Sequence, residues 1–469
     1  MFGKVFGKSS TFRPYYENDV DVFIPELWAA EGLTLLVENM IAGSLVYRDF
    51  EDTLQNYGDV VNVRKPGEFT AKRKTNADNV VIQDVSATSI QVPLNQHIHT
   101  SFLIRDGEES KSFRSLVDEF LKPAIVAQAR FIDMVVLGQY PHFFGNSAGF
   151  MGNLTANNAK TSLLSLRQVL NQAKAPVTDR NLILNPISET TLLGLDLFLQ
   201  ANTVGDQGQA LAEASLGRKL GFNMYMDQNM PVITANVNTP ANGAINLAAG
   251  YNPGTKTFTV DGFTGAVTTG GYIQIAGDWT PLRITAHTET LGATTSITTA
   301  TGIKTAVADN AVIYYFAPGA VNNASGYAAG YAKEITVDGF TVAPQVGQVV
   351  TFGTGATSTV YTVMAVNGLV GITLDRPLVA ALADNDVVNL GPAGAFNLAI
   401  HRNAIALVVR PLAKPRAGTG ALSAVVNWNN LSMRVVITYD GEKQGHLVTV
   451  DMLAGIAVLD NRLGAVFLG

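Results

Sequence analysis

The run Gly145-Asn146-Ser147-Ala148-Gly149 fits Gly-x-Ser-x-Gly. That spacing belongs to a nucleophile elbow, where a strand delivers the serine hydroxyl into a tight turn and a helix follows. Here Pro141-His142-Phe143-Phe144 precedes and Phe150-Met151-Gly152 follows, and neither flank reads that way. With 44 glycines in 469 residues the match arises cheaply. A serine hydrolase using Ser147 is therefore the lesser reading. Gly3-Lys4-Val5-Phe6-Gly7-Lys8-Ser9 resembles a phosphate loop, but it is one residue short between its glycines and no strand leads into it. His97-Ile98-His99 on a strand would put two imidazoles on one face, half of a metal site. Asp384 and Asp386 would likewise share a face, an arrangement better explained by a solvated turn than by calcium. The chain has no cysteine, so thiolate ligands and disulfides are excluded. No His, Asp, Glu or Ser cluster stands in a convincing motif context. The expectation is a non-enzyme with no catalytic, cofactor-binding or metal residue.

The basic residues are the stronger signal. Lys4, Lys8 and Arg13 precede the first acid, Glu17, and are interleaved with Phe2, Phe6 and Phe12, as in an arm that docks on something. Arg64, Lys65, Lys72, Arg73 and Lys74 surround the turn signal Pro66-Gly67. Alternation at Val61 and Val63, and again at Ile90, Val92 and Leu94, flanks them. From 58 to 104 this reads as a long two-stranded excursion with a basic tip. Such a ribbon is marginal alone in water, so it lies either on another subunit or along an edge of its own domain.

Two helices position these parts. One starts at Pro25-Glu26 and carries Leu33, Leu36, Val37, Met40 and Ile41. The other spans Lys111 to Gly138 with Phe113, Leu116, Phe120, Ile125, Ile132 and Val136 at three-four spacing. Pro123 interrupts it and predicts a kink or two consecutive pieces, a hinge candidate. An α/β rhythm follows: a helix over about 161–174, a strand over 181–184, a helix capped at Ser188 and running through Leu199, a short helix over 207–216 and a strand at 222–225.

Residues 251–400 hold five Lys/Arg and nine Asp/Glu, and are dominated by Thr, Gly, Val and Ala. Short β-runs between turn signals predict a sandwich or barrel. Thr259-Val260-Asp261-Gly262-Phe263-Thr264 recurs as Thr336-Val337-Asp338-Gly339-Phe340-Thr341, and Ala308-Asp309-Asn310 as Ala383-Asp384-Asn385. Two echoes in one order at nearly one offset mean two β units, or two halves of one barrel. After 394 the earlier style resumes, with a hairpin signal at Asp440-Gly441.

The net charge of -6 argues against a protein that grips nucleic acid over a broad face. Charged residues are 15% and hydrophobic ones 47%, so much surface is nearly neutral, which favours burial against sister copies. No run is apolar enough to span a membrane, and Met1–Phe12 lacks the apolar core of a signal peptide, so a cytoplasmic setting is expected.

The order of parts resembles that of tailed-bacteriophage major capsid proteins, whose fold the herpesvirus capsid floor shares. Asp21 to Trp28, Leu216 to Tyr225, Ala395 through Ala404 to Leu412, and Val346 to Val350 are similar to stretches of the short-tailed Salmonella phage branch, which carries an inserted β domain. The resemblance implies an α+β capsid fold: an arm and first helix (1–57), an extended hairpin (58–104), a spine helix and peripheral domain (105–231), an inserted β-barrel-like domain (232–395) and completion of the axial domain (396–469). It implies self-assembly as pentamers and hexamers into an icosahedral virion shell in a host bacterial cytoplasm. Its partners would be a scaffolding protein, a portal, packaged double-stranded DNA held non-specifically and a decoration protein. It implies no cofactor, no membrane and no covalent cross-link through Lys65, Lys72 or Lys74. An encapsulin-like compartment has the same fold and is the alternative within that class. A tail-tube or fibre protein would lack the long amphipathic helix.

Overall fold

The computed structural model describes residues 25–49, 57–65, 71–74, 79, 88–105, 107, 117–149, 154–195, 216–230, 232–233, 242–354, 359–392, 394–416, 420–428 and 430–469. The expected arm with Lys4, Lys8 and Arg13, the start of the long helix and the helix over 207–215 lie outside them.

The mixed α+β class is as expected. Helix α1 (Pro25–Asn39) opens on a proline with Glu26 in its first turn, and buries Trp28, Leu33 and Leu36. Strands β1 (Val60–Lys65) and β2 (Thr88–Pro93) pair antiparallel and form a sheet of their own. The excursion is shorter than 58–104, because β3 (Gln96–Arg105) leaves it and pairs with a core strand over ten registers. Its buried residues, Gln96, Ile98 and Ile104, explain the choice: this alternation faces a core.

The second helix comes in two pieces. A π-helical turn, Val117–Leu121, runs into α2 (Lys122–Leu137), which holds Pro123 in its first turn. Proline offers no N–H to the preceding carbonyls, so the ladder widens just before it. A 3-10 stretch, Tyr140–Asn146, leads into β4 (Ser147–Gly149), then α3 (Ala156–Gln172), β5 (Arg180–Leu184) and α4 (Pro186–Leu193). The cap of α4 is Asn185, not Ser188: Ser188 N–H donates to Asn185 Oδ1 at 2.6 Å. Strands β6 (Arg218–Lys219), β7 (Phe222–Met226) and β8 (Val232–Ile233) close this half.

The insertion is two closed six-stranded barrels. The first holds β9 (Gly243–Ile245), β10 (Thr257–Asp261), β11 (Tyr272–Ile275), β12 (Leu282–Thr290), β13 (Ala293–Thr299) and β14 (Val312–Phe316). The second holds β15 (Gly319–Val321), β16 (Ile335–Asp338), β17 (Val349–Phe352), β18 (Val360–Asn367), β19 (Gly371–Leu374) and β20 (Val387–Asn389). Their cyclic orders, β10-β13-β12-β11-β14-β9 and β16-β19-β18-β17-β20-β15, are the same topology. The sequence echoes mark the same devices twice. Gly262 and Gly339 turn the chain at φ +76° and +78°. The following Phe263 and Phe340 are buried over Gly243 and Gly319, where any Cβ would strike the ring. Asn310 and Asn385 take φ of 58° and 63°, and the preceding Asp309 and Asp384 accept from Leu247 N (2.9 Å) and Asn323 N (3.0 Å). Asp384 and Asp386 are thus turn acceptors, the latter bonding Ala383 N at 2.6 Å.

The chain returns through β21 (Gly394–His401), β22 (Ile405–Arg410), β23 (Leu422–Trp428), β24 (Leu431–Asp440), β25 (Gly445–Val458) and β26 (Gly464–Leu468). One sheet runs β4-β26-β21-β5-β7-β6 with β8 on β21; the other runs β22-β25-β24-β23 with β3 on β25. One core joins them. Trp28, Leu33 and Leu36 of α1 and Ile125, Ile132 and Val136 of α2 pack on Met433, Val435 and Val450 of the second sheet and, through Tyr140 and Phe143, on Phe396 and Leu398 of the first. Helix α3 covers the other face of the first sheet with Leu163, Leu166 and Leu170 on Leu182, Phe222 and Phe467.

Because the two barrels repeat one design, Gly243→Ala and Gly319→Ala should each destabilise their own barrel by about 1–3 kcal/mol through overpacking. Urea unfolding followed at each barrel separately checks this; a matched loss in both is expected, and neutrality in either would break the equivalence.

Candidate assembly surfaces

The root of the β1–β2 ribbon is stapled to its own domain. Val92 and Leu94 are buried on Ala406, Val408 and Leu453, with Val61 and Val63 partly covered. Its far end differs. Arg64 and Lys65 stand in register with Ser89 and Thr88, and Lys72, Arg73 and Lys74 are exposed. Of the basic residues singled out in the sequence, these last three are therefore placed in solvent. Pro123 is exposed at the start of α2.

The longest hairpin of each barrel ends in apolar residues that the sequence reading missed. Leu291, between β12 and β13, is 104% exposed and sits at φ +54°, a conformation unfavourable to a leucine. Leu369 and Val370, between β18 and β19, are 44% and 58% exposed. The available signal was an aliphatic residue beside glycine where a turn calls for Asn or Asp: Leu291-Gly292, and Gly368-Leu369-Val370-Gly371.

Both barrels are docked. On the first, Lys304 Nζ donates to the Ser147 carbonyl at 3.1 Å and to Ser147 Oγ at 3.0 Å, and Tyr272 meets Phe144 edge-on at 6.0 Å. Burial lowers the Lys304 pKa to about 8, against the pull of Asp278. On the second, Asp375 accepts from Gln96 Nε2 of β3 at 2.8 Å, Arg376 Nη1 at 2.6 Å and Thr362 N at 2.9 Å. Burial raises its carboxyl pKa, and Arg376 opposes that. Thr362 also comes so close to Gly138 that a Cβ there would strike its Oγ1. The barrels touch each other through Arg283 Nη2 to Gly353 O, 2.8 Å, and through Asn389 to Gly270 O.

His97 Nε2 lies 3.2 Å from Asp451 Oδ2, and Arg434 Nε donates to Asp451 Oδ1 at 2.8 Å. Burial pushes the Asp451 carboxyl up, but the hydrogen bonds from His97 and Arg434 outweigh it and hold it below the usual range. This imidazole is therefore engaged in a structural pair, with the His99 ring 6.1 Å away. Among the described residues no three His, Asp or Glu side chains gather as a metal set, and no helix is long and apolar enough to cross a membrane.

No protein-family model matches the chain, and no curated protein matches it. Among solved structures, the chain is similar to one from Mycobacterium phage Che8, at 12% identity over 91% of this chain and 90% of that one, with a TM-score of 0.41. It aligns with the capsid structure of Cyanophage P-SCSP1u at 10% identity, 90% of each chain and a TM-score of 0.40. With the mature capsid of bacteriophage PhiM1 the figures are 9%, 90% and 86%, and 0.38.

Beneath these surfaces, two carboxylates meet in the core. Asp133 of α2 accepts from Ile41 N at 2.9 Å and Gly43 N at 2.8 Å, fixing the turn after α1. Asp227, after β7, accepts from Asn229 N at 2.8 Å, and the backbone N–H of Ala42 also favours its charged form. Burial, and then the charge of Asp227, raise Asp133 to about 7. Burial also raises Asp227. A carboxyl whose folded pKa is raised holds its proton better folded than unfolded. Its contribution is present below the unfolded value and is lost as pH climbs toward 7, by up to roughly 4 kcal/mol for Asp133. Asp227→Asn removes the like charge, so urea midpoints should fall less between pH 5 and 8 than in the wild type. An unchanged fall would show that the two carboxyls are not coupled.

Proposed function

We propose that this chain is a structural coat protein whose copies tile a closed icosahedral shell. The observation that carries the reading is the β1–β2 ribbon, which among the described residues joins no larger sheet. A two-stranded ribbon is stable only when something covers it. Its root is covered by its own domain, the described basic residues Lys72, Arg73 and Lys74 are exposed, and a neighbouring copy is the natural cover. The apolar tips at Leu291 and Leu369-Val370 support the same reading, since isolated exposed aliphatics on projecting hairpins gain most when buried on a partner. Each contact is modest, and a closed shell sums many of them.

The wider expectations belong to this proposal. Copies form pentamers and hexamers, with a portal at one position and packaged double-stranded DNA inside. DNA contact is loose and sequence-independent, as a net acidic chain requires. A scaffolding protein with an acidic face would meet Lys4, Lys8 and Arg13, together with Arg64, Lys65, Lys72, Arg73 and Lys74. A decoration protein would sit on the outer face. The insertion acts as a staple between capsomers: docked at two junctions, each barrel is a stiff base for its tip. The π-helical turn before Pro123 is the hinge where a precursor shell changes to its expanded form.

Negative-stain microscopy of the full chain, with and without a scaffold, tests the shell. The variant Leu291→Asp with Leu369→Asp and Val370→Asp should stay folded by circular dichroism yet cut shell yield at least about tenfold, because a small loss at each contact is multiplied over the many contacts of a closed shell. Normal shells from that variant would remove the staple role. A chain that stays monomeric at high concentration, ribbon included, would remove the coat-protein reading itself. Scaffold-dependent yield should fall as salt rises above about 0.15 M, where the screening length drops below roughly 8 Å.

A further inference from the structure

Ser147 and Lys304 are brought together by elements far apart in sequence: the short strand β4 and a loop of the first barrel. A cavity of about 730 Å³ opens over them. Its walls are mixed: Ala148, Val169 and Leu468 make them apolar over the larger share, and Ser162, Ser165 and Gln168 from α3 with Thr280 from the barrel supply polar groups. Ser162 Oγ is buried and has no hydrogen-bond partner among the described residues. Asp278 is the other titratable group among the described residues lining the cavity; its Oδ1 accepts from Lys304 N at 2.9 Å and Thr305 N at 2.7 Å.

We propose that Ser147 and Lys304 form a nucleophilic pair, and that the cavity above them admits small acyl donors such as short esters, which acylate Ser147. The geometry gives each partner its role. A protonated Lys304 donates to both Ser147 oxygens. A neutral one has two N–H groups and one lone pair. With one N–H held by the Ser147 carbonyl at 3.1 Å, the lone pair can accept the Oγ–H proton across 3.0 Å. The carbonyl therefore orients the base toward the hydroxyl it must deprotonate.

In the reaction, Oγ adds to the carbonyl carbon of the ester as its proton moves to Nζ. The tetrahedral adduct collapses, the bond to the leaving alkoxide breaks, and Lys304 returns the proton to that alkoxide. An acylated Ser147 and a free alcohol result, with no redox change. Burial supplies the neutral amine, because a lysine titrating near 8 is deprotonated in an appreciable fraction at neutral pH. The Gly-x-Ser-x-Gly match plays a different part: Gly149, at φ +103°, is needed because a Cβ would strike the Leu468 carbonyl, and Gly145 has open space around it. The pair is not a nucleophile elbow, and its base comes from the insertion.

The test is labelling of the full, unassembled chain with p-nitrophenyl acetate and with a fluorophosphonate, read by peptide mass spectrometry. One label per chain on Ser147 is expected. Its rate should rise about tenfold per pH unit below about 8 and level off above. Lys304→Arg keeps the charge and the donors that dock the barrel but has no usable lone pair at these pH values, so labelling should drop about 100-fold while the fold is kept. Lys304→Met should drop it equally. An unlabelled wild type at pH 9, a flat pH profile, or arginine labelling as fast as lysine would overturn the pair. Shell formation is a separate readout, so either proposal can fail alone.

Discussion

The rest of the structure depends on how the chain leaves its first sheet and comes back to it. Strand β8 pairs antiparallel with the start of β21, Ile233 on Gly394 and Val232 on Ala395, so the two ends of the insertion are zipped together. Just beyond, the buried Asn397 locks the return. Its Oδ1 accepts from Asn185 N at 2.7 Å, and its Nδ2 donates to Ser188 Oγ at 2.9 Å and to the Phe467 carbonyl at 3.2 Å. One amide thus ties together β21, the start of α4 and β26. Once both ends are pinned, what lies between is thermodynamically a loop. Loop closure costs only about 0.6 kcal/mol more per doubling of length. A second barrel is therefore nearly free for the core, provided it folds by itself, and each barrel has its own buried cluster.

Much of this was legible in the sequence, for reasons that differ by element. Leu33, Leu36 and Met40 face the core because a helix periodicity is local. The β24–β25 hairpin was visible because Asp440-Gly441 and the alternation beside it are local too. The echo was readable because Gly262, Asn310 and their copies occupy left-handed backbone positions that few residues tolerate, which fixes their identity. What failed was non-local. Alternation in 96–104 says that one face is buried but not on which strand, and β3 went to β25 rather than back along the ribbon. Lys304 carries no local sign that it ends 3.0 Å from a serine 157 positions earlier. The junction is specified by tertiary packing alone.

Low charge in the insertion also means something narrower than exposed grease. The outer faces of β10, β12 and β13 are threonine-rich, and the hydroxyls bond across strands: Thr288 Oγ1 to Thr295 Oγ1 at 3.4 Å between β12 and β13, Thr257 Oγ1 to Thr298 Oγ1 at 3.1 Å between β10 and β13. A β-branched residue suits the pleat, and its hydroxyl keeps the surface wet without a charge. The most exposed apolar side chain, Leu291, stands at a hairpin tip, and Leu369 and Val370 are exposed at the matching tip of the second barrel. A surface arranged this way resists non-specific collapse along its length while offering a small hydrophobic anchor at a defined place, which suits contacts that must form repeatedly in one geometry.

The two barrels share their folding devices and not their docking devices. Backbone hydrogen bonds set the equivalences: Gly254 N to Ile303 O in the first barrel corresponds to Gly330 N to Leu378 O in the second, and Ala300 N to Arg283 O corresponds to Asp375 N to Thr362 O. Lys304 thus matches Val379, which is 59% exposed, and the buried Asp375 matches Ala300. Neither clamp has a counterpart in the other copy. Turn glycines, the Phe over glycine and the Asp-Asn turn recur because a closed six-stranded barrel needs them wherever it sits. Lys304 and Asp375 do not, because each answers a different patch of the core: a serine at the start of β4 in one case, a glutamine on β3 and the end of α2 in the other. The pattern separates what a barrel needs to exist from what it needs to be held, and only the second varies with position.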